Sequence, residues 1–142
     1  SRFIEQLPYC EGVNNHMGSL ATTDEDVMNA VMAVLKKYNK FFLDSRTTNV
    51  SVAYSVAQKN HLKSYRNDLF LDSPNISQST MDAKLNQIIE LSNRKQNVIA
   101  ISHCHNYDKL DYLKRIINRL KAAGFTLIPL TDIDKYNVPE IL

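Results

Sequence analysis

Five short apolar runs punctuate the chain, each closing on a polar or charged residue: CEGVNNH, KFFLDS, DLFLDS, NVIAISH and FTLIPLTD. These runs have strand character, and the intervals between them place apolar residues at helical spacing. In the first interval Val27, Met28, Val31, Met32 and Leu35 recur on one side. Thr22, Thr23 and the acids Asp24, Glu25 and Asp26 suit its N-terminus by capping and by the macrodipole, and Lys36 and Lys37 suit its end. The second interval, about Val50 to Leu62, is weaker and carries Val52, Ala53, Val56 and Ala57. Met81, Leu85, Ile88 and Ile89 align in the third. Leu110, Leu113, Ile117 and Leu120 align in the fourth, which Gly124 ends.

The strand ends are regularly spaced. His16, Asp44, Asp72, His103 and Thr131 follow one another at 28, 28, 31 and 28 residues, and FLDS occurs at both Phe42–Ser45 and Phe70–Ser73. A repeating strand–helix unit of this length predicts an α/β fold with a parallel sheet. Ligands of such folds bind beyond the carboxyl ends of the strands, where these five residues sit. A closed barrel needs about seven or eight strands, so five predict either an open, doubly wound sheet or an incomplete (β/α) barrel lacking its N-terminal strands. The even period favours the barrel. The opening SRFIEQLPYC reads as a helix end without a signal peptide's apolar core, and we expect the chain to be a piece of a longer protein.

At 142 residues the chain has the length of one α/β domain, expected over 1–142. A net charge of +2 is too small to imply nucleic acid as the partner, and the basic residues form no long run. No stretch approaches the length of a membrane span. Cys10 and Cys104 make no disulfide framework or Cys-x-x-Cys motif. An open sheet edge would invite pairing between chains, hence a homodimer.

Two aspartates and two or three histidines in phase at strand ends suit hydrolysis. Histidines and a carboxylate can hold a zinc-like ion and its water; a second carboxylate can take the water's proton, and a histidine can protonate the leaving group. Each residue also has a plainer reading. The Asn14–Gly18 stretch could be a simple turn, Asp44 and Asp72 could bond the turns that follow them, and His105 could cap a helix beginning near Asn106. Arg46 could pair with a carboxylate or hold an anionic substrate group. No Gly-x-Ser-x-Gly elbow, phosphate loop or dinucleotide fingerprint is present.

GVNNHMGS, FFLDSRTT, DLFLDS and IAISHCH, in this order, resemble the divergent polysaccharide deacetylase family, a distant branch of the NodB-like carbohydrate esterases. The resemblance runs from about Gly12 to Ile133. It implies a deformed (β/α) barrel, of which this is the C-terminal portion, and metal-assisted removal of acetyl groups from amino-sugar polymers. On that basis His16 and His103 are the expected ligands of a divalent metal, zinc first. Asp44, Asp72 and His105 are the expected catalytic groups, and Asn15, Ser19 and Arg46 the expected contacts to a polysaccharide or oligosaccharide. The family's early strand with an Asp-Asp pair, expected to supply a metal ligand and the base, is not in this chain. The usual Gly-His-Pro-His reads Ser102-His103-Cys104-His105. An extracytoplasmic or periplasmic location is expected for the full-length protein. The alternative is a carbohydrate-binding barrel at the cell envelope that has lost catalysis.

Overall fold

Every strand pairing is parallel among residues 2–136, the part of the chain that the computed structural model describes. Parallel strands cannot be joined by tight turns, so helices return the chain between them. After a short helix α1 (Arg2–Gln6), β1 (Gly12–Asn14), β2 (Phe41–Asp44) and β3 (Ser64–Arg66) form one sheet in that order. Helix α2 (Glu25–Lys37) connects β1 to β2, and α3 (Ala53–Lys59) connects β2 to β3. A second sheet pairs β4 (Leu69–Phe70) with β5 (Ala100–Ile101) through α4 (Gln78–Ser92), and α5 (Tyr107–Ala122) follows. The chain groups into two compact units, Ser1–Asn67 and Asp68–Leu142.

In the first unit, the Asp24 side chain caps α2 by accepting the amides of Asp26 and Val27 at 2.9 and 3.0 Å. The helix then buries Met28, Met32 and Leu35 against Phe42, Ala53, Val56 and Ala57. The small, fully buried Ala53 and Ala57 let α3 lie close to its neighbours. Phe41 packs edge-on against Tyr65, with centroids 5.5 Å apart. A Cβ on the neighbouring Gly12 would come within 2.2 Å of the Phe41 ring, which explains the absence of a side chain there.

In the second unit, Ser77 and Asn106 cap α4 and α5, accepting the amides of Thr80 and Lys109. Met81, Leu85 and Ile88 of α4 meet Tyr112, Ile116 and Leu120 of α5 in a core with Leu69 and Leu71. Arg115 reaches Gln78 and Arg119 reaches Asp82, tying the two helices on their wet side. Gly124, at φ 89°, takes the left-handed conformation that ends α5.

Two expectations need correction. FTLIPLTD is not a strand: residues 125–129 join no ladder, Pro129 has no amide to donate, and Leu130–Lys135 coil into a 3-10 turn that contains Thr131. The strand missing from the expected five is instead β3, Ser64–Arg66, a three-residue segment whose buried member, Tyr65, is fixed by packing on Phe41. No helix of the described residues is long and apolar enough to cross a membrane.

Candidate functional site

Polar residues gather beyond the carboxyl ends of the strands in each unit. In the first, Asp44 ends β2 and is only 1% exposed. Its Oδ1 accepts the Arg46 amide at 2.8 Å and its Oδ2 accepts the Ser51 hydroxyl at 2.9 Å, so both oxygens hold the loop that follows. That loop carries Arg46 in the left-handed region at φ 54° with its side chain exposed. Ser45 is held on every polar atom. Its amide donates to Asn15 Oδ1 at 2.8 Å, its hydroxyl accepts from Asn14 Nδ2 at 3.0 Å, and its carbonyl accepts from Asn67 Nδ2 at 3.2 Å. Ser19 donates to Thr47 at 3.1 Å, a second tie between the loops after β1 and β2. Within GVNNHMGS, Gly12–Asn14 are β1 and the residues after them turn, with Met17 at φ 52°, bound side chain by side chain to the next strand end. His16 is exposed on it.

In the second unit, Asp72 and His103 each stand two residues beyond a strand, on the neighbouring β4 and β5. His103 Nδ1 lies 2.9 and 3.2 Å from the two Asp72 oxygens. A carboxylate accepts, so Nδ1 carries the proton. Lys109, in the first turn of α5, donates to Asp72 Oδ2 at 2.8 Å. Phe70 stacks on the His103 ring (6.1 Å, 7°), and the His105 ring stands 6.2 Å from it at 67°. Beneath them Tyr112 donates its hydroxyl to the Leu71 carbonyl at 2.8 Å, fixing the backbone just before Asp72.

Burial works to raise the Asp72 carboxyl, but the hydrogen bonds and charges of Lys109 and His103 outweigh it and hold the group below its ordinary value. Burial, with the Asp72 charge added, pushes the Tyr112 phenol up. A depressed carboxyl contributes stability that is complete above its unfolded value, near 3.8, and is lost as pH falls through the folded value. Urea midpoints should therefore hold steady down to about pH 5 and decline progressively below about pH 4. A midpoint that stays level into strong acid would contradict the ion-paired Asp72.

The structure brings Asp72, His103 and His105 together in the second unit, and Asn15, Ser19, Asp44 and Arg46 around adjoining loops in the first. His16 belongs to the first unit and His103 to the second. No three His, Cys, Asp or Glu side chains among the described residues gather to hold a metal. Lys109 already neutralises Asp72, and the buried, unpartnered Asn15 Nδ2 is a donor, unsuited to a cation. The described donors do not make a metal site by themselves.

Lys109 and Asn67 are absent from the sequence expectations. For Lys109 a signal existed, since a cation in a helix's first turn opposes the macrodipole and calls for a carboxylate partner. Asn67, 2% exposed, carries no such signal, because what makes it matter is the strand alongside.

Residues 1–133 match the model of the divergent polysaccharide deacetylase family. The chain is 38% identical over 104 residues, 72% of its length, to the uncharacterised protein YibQ of Escherichia coli. It is 37% identical over 92 residues, 65% of its length, to an uncharacterised protein of Haemophilus influenzae. It spans about a third of the length of both relatives (32% in each case). The crystal structure of the uncharacterised protein ATU2773 from Agrobacterium tumefaciens superimposes on 87% of the chain, and on 49% of that protein, with a TM-score of 0.76 at 16% identity; this is a likeness of fold. With its parallel α/β architecture and its match over nearly every residue, the chain belongs to the divergent polysaccharide deacetylase family.

Proposed function

We propose that this chain is part of a polysaccharide deacetylase-like hydrolase, a NodB-type (β/α) barrel that removes acetyl groups from amino-sugar polymers outside the cytoplasm. The observation that carries the proposal is the Asp72–His103 pair beyond adjacent parallel strands. Amide hydrolysis needs one proton taken from water and one delivered to the departing amine. Asp72 fixes the tautomer and orientation of His103, so proton exchange falls to Nε2, and its charge stabilises the imidazolium when that forms. Lys109 keeps Asp72 ionised, and His105 offers a second imidazole beside the first. Asp44 builds the loop bearing Arg46, with Asn15 and Ser19 on the facing loop as polar contacts for the sugar.

A divalent ion, zinc first, is part of the proposal; each unit offers one of the expected ligands, His16 in the first and His103 in the second, and no step is assigned to the ion. The role expected of His103 as a ligand and its role in proton transfer both act through Nε2, so the two are alternatives for that atom. The Lys109 ammonium beside the pair also lends weight to a second reading, a glycan-binding barrel without turnover.

The test is acetate release from chitooligosaccharides and peptidoglycan fragments by the full-length protein, with bound metal quantified alongside. Turnover is expected, with His103→Ala losing at least about a hundredfold in kcat. Saturable glycan binding without acetate release, unchanged by His16→Ala and His103→Ala, would establish the second reading instead.

A further inference from the structure

The second unit also contains an open groove that the proposed chemistry leaves unused. It has a volume of about 470 Å³ and follows the first turns of α5, lined by Tyr107, Asp108, Asp111, Lys114 and Arg115, with Ile76 on its aliphatic side. Tyr107 is 91% exposed. Nothing in the helix requires a tyrosine there, since Asn106 supplies the cap and the core begins at Tyr112. Arg115 is held by Gln78 at 2.6 Å. Asp108, Asp111 and Lys114, in contrast, enter no ion pair or side-chain hydrogen bond among the described residues.

One concave surface therefore offers an uncovered aromatic face, two carboxylates that accept hydrogen bonds and an ammonium that donates them. A pyranose ring has the complementary chemistry. One of its faces is a plate of C–H groups that packs on an aromatic ring, and its rim carries hydroxyls that both donate and accept. A purely ionic ligand would find the two signs nearly balanced, and an apolar one would leave the charges unpaired.

We propose that this groove is a subsite for one pyranose unit of a glycan chain, with Tyr107 as its stacking platform and Asp108, Asp111 and Lys114 as partners of its hydroxyls. The inference rests on the glycan-directed reading above and adds a course for the polymer. Tyr107 follows His103 by four residues, so their Cα atoms lie no more than about 14 Å apart. That span suits a sugar unit near, but distinct from, the one presented to the Asp72–His103 pair.

The experiment is calorimetric titration of the full-length protein with N-acetylglucosamine oligomers of increasing length, comparing wild type with Tyr107→Ala, Tyr107→Phe and Asp111→Asn. Tyr107→Ala should weaken binding about tenfold, more for long oligomers than for short ones. Tyr107→Phe should restore most of the affinity, and the thermal melts of all variants should coincide, because Tyr107 supports no core. Wild-type binding that Tyr107→Ala leaves intact would remove the subsite while the hydrolase proposal stands. Wild type that neither binds nor deacetylates any oligomer would remove both.

Discussion

Exchanging Asp72 for asparagine should destabilise the second unit by about 2–3 kcal/mol in urea unfolding and, under the proposed hydrolase function, abolish acetate release. The Asp72 side chain is 2% exposed and accepts from both Lys109 and His103. Asparagine keeps one acceptor oxygen but replaces the other with an NH2 group, which would face either the ammonium or the Nδ1 proton. Lys109 is then left largely out of water without a counter-charge. The cost stays below the largest values for broken buried pairs because Lys109 and His103 keep some contact with solvent, their side chains being 25% and 37% exposed. Adding Lys109→Met to Asp72→Asn should recover part of the stability and none of the turnover, since it removes the stranded charge without restoring the partner of His103. Equal stability of wild type and Asp72→Asn would mean that the three-residue cluster does not hold in solution.

Phe42→Ala is expected to cost about 3–5 kcal/mol, a large share of the 5–15 kcal/mol typical of a folded domain. Phe42 is 2% exposed and lies in the cluster formed by α2, α3 and β2, among Met28, Met32, Val56 and Ala57. The alanines of α3 are already as small as side chains that pack can be, so they cannot grow into the space the ring leaves. Phe42→Leu retains most of the volume and should cost less than half as much. Chemical denaturation of the two variants gives the comparison; similar losses would show that the cavity is filled by collapse of the neighbours.

The parts of the fold written in local chemistry were readable along the chain. Asp24 announces α2, Gly124 stops α5, and Asp44 and Asp72 mark where β2 and the chain after β4 leave their sheets. The errors arose where local pattern and packing disagree. FTLIPLTD is apolar enough for a strand, but Pro129 withholds an amide and the following residues coil. Ser64–Arg66 is too short and polar to stand out, and it is a strand because Tyr65 has Phe41 to rest on. The site follows the same division. Asp72 and His103 were placed by period, whereas their pairing, the Lys109 bond and the three asparagines around Ser45 depend on which strand ends become neighbours.

The grip on Ser45 carries an evolutionary consequence. Its amide, hydroxyl and carbonyl each answer to a different asparagine, Asn15, Asn14 and Asn67 in turn, so losing Asn15 or Asn67 strands a backbone group of the buried residue 45, whereas losing the serine gives up only the bond to the exposed Asn14. Asn15 and Asn67 should therefore persist through changes of the side chain at residue 45, and a lineage that lost either should show a new acceptor or donor for that backbone group nearby.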